Sequence, residues 1–63
     1  MNKEAWRYLA NQILYDMFNL QRELHKHIND NPESQQYLNP VWEASELMAA
    51  SARTLRDKLN DTL

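Results

Sequence analysis

Apolar residues recur along the first half of the chain at helical spacing. Trp6, Ala10, Ile13, Met17, Leu20 and Leu24 follow one another at intervals of four, three, four, three and four, which is the repeat of a packing seam along one side of a helix. Val41, Ser45, Met48, Ala52, Leu55 and Leu59 repeat in the same way in the second half. Between them the run Asn29-Asp30-Asn31-Pro32 stops the first helix, because a residue before proline is pushed out of the helical region. Two restarts follow. Asn31 can cap a short turn beginning at Pro32, with Glu33 just inside it, and Asn39 can cap a longer helix beginning at Pro40, with Glu43 in its first turn. The pattern predicts a first helix over about 3–29, a connector over 30–39 with a helical turn at 32–38, and a second helix over about 40–60.

The second seam is built from smaller residues than the first, and Ala44, Ser45, Ala49, Ala50, Ser51 and Ala52 make its middle slim. A helix with large residues facing a helix with small ones interdigitates closely. Near-heptad spacing on both predicts a crossing angle of about 20°. The expected fold is all-α: one domain over 1–63, an antiparallel helical hairpin with a short helical connector, two copies of which pair into a dimeric four-helix bundle.

The opposite side of the first helix is not a normal solvent face. Tyr8, Asn11, Tyr15, Phe18, Asn19 and Arg22 lie along it, with Lys26 one turn further on. Tyr15 sits about 180° from the centre of the seam. Glu, Lys and Gln are expected on a solvated face, whereas tyrosine, phenylalanine and arginine are enriched where proteins bind one another. Two readings are open: a partner-binding face, or a second core layer buried by dimerisation or by the connector folding back. Trp42 and Leu47 fall off the second seam by about 105° and 115°, on opposite flanks. Trp42 either closes the hairpin against Tyr37 and Leu38 or anchors a partner.

Composition narrows the picture further. The 63 residues contain no glycine, which disfavours hairpin turns needing positive φ and hence a β fold, and rules out a glycine-rich phosphate loop. They contain no cysteine, so neither disulfides nor thiolate metal sites are available. Chains below about 70–80 residues commonly need such a staple or a second copy of themselves, and self-association is the remaining route. The net charge of −2 weighs against bulk electrostatic binding to nucleic acid or anionic membranes. With no run long enough to span a membrane and no signal-peptide core near Trp6, a cytoplasmic protein is expected.

No chemistry emerges from the polar residues. His25 and His27 are two apart and point to different sides of a helix, whereas metal ligation from one helix wants a spacing of four. Glu43 and Glu46 are one turn apart, but nothing supplies a nucleophile or an oxyanion donor beside them. Arg53, Arg56 and Lys58 interleave with Asp57 and Asp61, which reads as surface pairing and complementarity to the helix dipole. No catalytic residue, metal or cofactor is expected.

The layout resembles the plasmid-encoded Rop proteins, small antiparallel four-helix-bundle dimers that hold RNA hairpins together. Their RNA-binding face combines Asn, Phe, Gln and Lys on the first helix, and Asn11, Tyr15, Asn19 and Lys26 occupy a similar spacing here. The resemblance implies RNA binding by those four residues. It departs from the Rop pattern in a less regular alternation of small and large seam residues and in a longer connector. The chain also looks like the small hairpin co-chaperones of type III secretion needles, the YscE-like proteins, in length and layout and in Gln36-Tyr37 ahead of Trp42. That resemblance implies a hairpin packed against another helical protein. The expected function is a small non-enzymatic regulatory or adaptor protein of inhibitor, anti-activator or co-chaperone type. It would bind a larger protein through Tyr8, Tyr15, Phe18 and Arg22. The alternatives are Rop-like RNA binding and a purely structural oligomerisation module.

Overall fold

The computed structural model describes residues 2–61. They form a helix α1 (Lys3–Asp30), a 3₁₀ turn (Pro32–Ser34) and a helix α2 (Gln35–Asp61). The two helices run antiparallel against each other as a hairpin 47 Å long and 14 Å across in its Cα trace.

The start of α1 is fixed by Asn2, whose side chain accepts a hydrogen bond from the Ala5 backbone N–H at 3.1 Å. This satisfies one of the donors left open at a helix start. Glu4 adds negative charge to the first turn. At the far end the Asn31 N–H still reaches the His27 carbonyl at 2.9 Å. Pro32 then turns the chain, and the Ser34 hydroxyl and N–H both donate to the Asn31 carbonyl, at 2.7 and 2.9 Å.

The second helix begins earlier than Asn39-Pro40 suggests. It opens at Gln35, directly after the 3₁₀ turn, and carries Pro40 inside it. Asn39 is therefore a helix residue and not a cap. The proline sits close enough to the helix start that it forfeits a single backbone hydrogen bond, the one its N–H would have made to Gln36. In return the helix continues far enough back to place Leu38 on the line of Trp42 and Ser45, where all three are at least half-buried.

The hairpin contact does not follow the seams expected from sequence. On α1 it follows Ala10, Leu14, Met17, Gln21 and Leu24, with Arg7 and Ile28 at its ends; on α2 it follows Leu38, Trp42, Ser45, Ala49, Ala52, Arg56 and Leu59. Half of each expected seam belongs to this contact: Ala10, Met17 and Leu24 on α1, and Ser45, Ala52 and Leu59 on α2. Of the rest, Ile13 is partly buried against the same cluster as Met17, whereas Trp6, Leu20, Val41, Met48 and Leu55 are exposed. Both helices are thus rotated by about 50°, in the same sense, from the orientation that maximises apolar bulk between them. Their places are taken by Leu14, Gln21 and Ala49, and by the half-buried Arg7, Trp42 and Arg56.

At the heart of the contact Leu14 packs on Ala49 and Ala52, with Ile13 and Met17 alongside. Beside it lies a polar layer. Gln21 Nε2 donates to Ser45 Oγ at 3.0 Å, and that hydroxyl donates to the Trp42 carbonyl at 2.6 Å. Ser45 is buried, and both roles of its hydroxyl are filled. A satisfied polar pair within an apolar seam fixes register, because sliding either helix would strand it.

Candidate functional site

The hairpin covers only one side of each helix, and the candidate functional residues lie on the sides it leaves open. Tyr8, Tyr15 and Phe18 are 70%, 64% and 51% exposed. Asn11, Arg22 and Lys26 are exposed beside them and Asn19 is half-covered. All seven project from α1 away from the Trp6–Ile13–Leu20 line, and helical rotation alone holds them together. The four residues that resemble the Rop face lie within this set.

Phe18 borders a cleft of about 340 Å³ between the helices, shared with Gln21, Glu46, Ala49, Ala50 and Arg53. Its two charged residues sit on α2 and its aromatic wall on α1, so the cleft offers polar groups of both signs beside one ring. A second, more apolar hollow of about 510 Å³ lies at the connector, lined by Leu24, His27, Asn31, Glu33, Ser34, Tyr37 and Leu38.

Trp42 is not off the seam, as its angular position on the expected seam implies. It is half-buried within the hairpin contact, and its Nε1 donates to Glu46 Oε1 at 2.9 Å. Leu47 projects outward and is exposed. Neither His25 nor His27 is covered. Among the described residues no group of three or more His, Asp or Glu side chains is placed to hold a metal ion. On the basic segment of α2, Arg56 Nε lies 3.6 Å from Asp57 Oδ1, an ion pair at a solvated surface. Arg7 lies along the seam with its Nε covered and without a hydrogen-bond partner, so its aliphatic stem rather than its charge does the packing there. Among the described residues no helix is long and apolar enough to cross a membrane.

A further apolar face was legible in the sequence only as part of the expected seams. Trp6, Ile13 and Leu20 each precede a residue of the hairpin contact on α1, and Val41, Met48 and Leu55 do the same on α2. The local two-fold relating antiparallel helices is perpendicular to their common plane, so it brings these two flanks to the same side. The positions that follow the contact gather on the other side, where Phe18, Glu46 and Arg53 share one cleft. The signal that finds the first face is an apolar stripe too wide for a single helix–helix contact.

No known protein family, curated protein or solved structure matches the chain. The likenesses to Rop and to needle co-chaperones therefore rest on the few residues quoted for them.

Proposed function

We propose that this chain is a non-enzymatic interaction module: a helical hairpin that pairs with a second copy into a four-helix bundle and presents the outer stripe of α1 to a larger protein. It would act as an inhibitor, anti-activator or co-chaperone acts, by occupying its partner's surface. The observation that carries the reading is the exposure of Tyr8, Tyr15 and Phe18 on a face of α1 that the hairpin does not use. Aromatic rings give large contact area at low entropic cost, and Arg22 beside them supplies directional hydrogen bonds. The cytoplasm is the setting this reading takes.

The test is affinity capture with the intact chain and with a Tyr8→Ser, Tyr15→Ser, Phe18→Ser variant, each with and without RNase, after circular dichroism has established that the variant is helical. Under this reading a defined protein is captured by the chain, survives RNase and is lost with the variant. Capture that vanishes with RNase moves the function to Rop-like RNA binding by Asn11, Tyr15, Asn19 and Lys26. Steep weakening between low and moderate salt accompanies that outcome. A variant that is unfolded shows the stripe to be core, and the chain to be a structural oligomerisation module.

A further inference from the structure

The face that precedes the hairpin contact is lined by apolar side chains that the hairpin covers only in part. Along it Trp6, Leu20, Val41, Met48 and Leu55 are each between 37% and 50% exposed. Among the described residues no large side chain is fully buried. The accessible surface of the chain is 4894 Å², whereas a folded monomer of its mass exposes about 4,250 Å². The excess, roughly 650 Å² spread over the whole elongated hairpin, is surface of the order that each partner contributes to a stable interface, ~800 Å².

We infer that a second copy of this chain covers this face, with the two connectors at the same end, so that α1 of one copy lies over α2 of the other. This rests on the dimer reading above and adds the face and the orientation. Charge and size on the outer rims of the face decide the orientation. The rim of α1 carries Leu9, Asp16 and Glu23; that of α2 carries Ala44, Ser51 and Lys58. Stacking α1 on α1 would set Asp16 against its own copy, and α2 on α2 would set small residues on small ones. Placing α1 over α2 sets Asp16 against Ser51 and Glu23 against Ala44, so that acidic residues meet small neutral ones, while Leu9 comes level with Lys58. The Gln21–Ser45 hydrogen bond fixes the levels, so Asp16 of one copy stands opposite Ser51 of the other. The aromatic stripe of α1 points away from the interface and stays open.

Because the chain contains no cysteine, engineered cysteines report the arrangement directly. Asp16→Cys and Ser51→Cys are both at exposed positions. Oxidising an equimolar mixture of the two single variants should give a covalent dimer of mixed composition, while neither variant alone crosslinks. Sedimentation equilibrium should show twice the chain mass for the unmodified protein, and Met48→Glu should raise the dimer dissociation constant on the order of a hundredfold. If Met48→Glu unfolds, the cysteine pairs decide. Asp16→Cys crosslinking to itself would overturn the orientation and leave the dimer standing. A Met48→Glu protein as dimeric as the original would overturn the face alone. A chain that is monomeric at all concentrations would overturn the dimer reading with it, and the face would then belong to a different protein.

Discussion

The two flanks of the hairpin contact are built from opposite chemistry on the same pair of helices. The flank that follows the contact carries Asn11, Phe18 and His25 on α1 and Asn39, Glu46 and Arg53 on α2. Phe18 borders a cleft with charged walls. The flank that precedes the contact carries Trp6, Ile13, Leu20 and His27 on α1 and Val41, Met48 and Leu55 on α2, with Asp16, Glu23 and Lys58 on its outer rim. A hairpin meant to stand alone gains nothing from such asymmetry, since its flanks see the same solvent. The contact within one chain and the apolar content of the chain answer to different demands. The contact is set by slim residues that let the helices approach. Much of the bulk sits to one side, where the hairpin covers it only in part.

Both flanks depend on the contact between them. Leu14 is buried against Ala49 and Ala52. Leu14→Ala leaves a cavity that two small residues cannot refill, and should cost about 2–5 kcal/mol. For so short a chain that is most or all of its stability. Circular dichroism at 222 nm should show a large loss of helix at 25 °C. A melt within a few degrees of the original would show that the hairpin contact is not what holds the helices.

The fold class and the hairpin were legible in the sequence, and the reason is local: heptad spacing, the Asn29–Pro32 stop and the absence of glycine all act within a few residues. The rotation of the helices was not legible. A reading by apolar size selects Ile13 and Leu20 over Leu14 and Gln21, and Met48 over Ala49. What decides the contact is closeness of approach, which Ala49 and Ala52 permit, together with the Gln21–Ser45 pair, in which each residue looks like surface until the other is opposite. The start of α2 was misplaced for a similar reason. Asn39-Pro40 is a good start signal, but the 3₁₀ turn at Pro32–Ser34 had already begun the helix. The exposed aromatics of α1 were legible because they break the composition of a solvent face, a property of the sequence alone.

A smaller effect is expected at a residue that belongs to neither flank. Pro40 lies inside α2 between Asn39 on the polar flank and Val41 on the apolar one. Pro40→Ala restores the hydrogen bond to the Gln36 carbonyl and relieves the clash of the ring with it, against a more flexible unfolded chain. The net expectation is a gain of about 1–2 kcal/mol, read as a rise of roughly 5–15 °C in Tm. A fall in Tm would mean that Pro40 contributes more through the unfolded chain than the helix loses.

The smallest effect is the most diagnostic, because it sets one flank against the other with the same introduced residue. Glu46→Gln, on the polar flank, keeps an oxygen to accept from Trp42 Nε1, now at 2.9 Å from the carboxylate, and exchanges only its charge. The change should stay within about 0.5 kcal/mol. Met48→Gln, two residues on, keeps a similar side-chain volume but puts an amide in place of the thioether at a position that is half-exposed in the single chain. If that flank faces water, Met48→Gln is as silent as Glu46→Gln. If a second copy covers it, the substitution places an amide in an apolar interface and costs at least about 1 kcal/mol more. That extra cost should grow with protein concentration, since association adds to the stability of the original and less to that of the variant. Thermal melts of the two variants at two concentrations, differing by a factor of about a hundred, measure the difference. Equal Tm values at both would place the apolar flank in solvent.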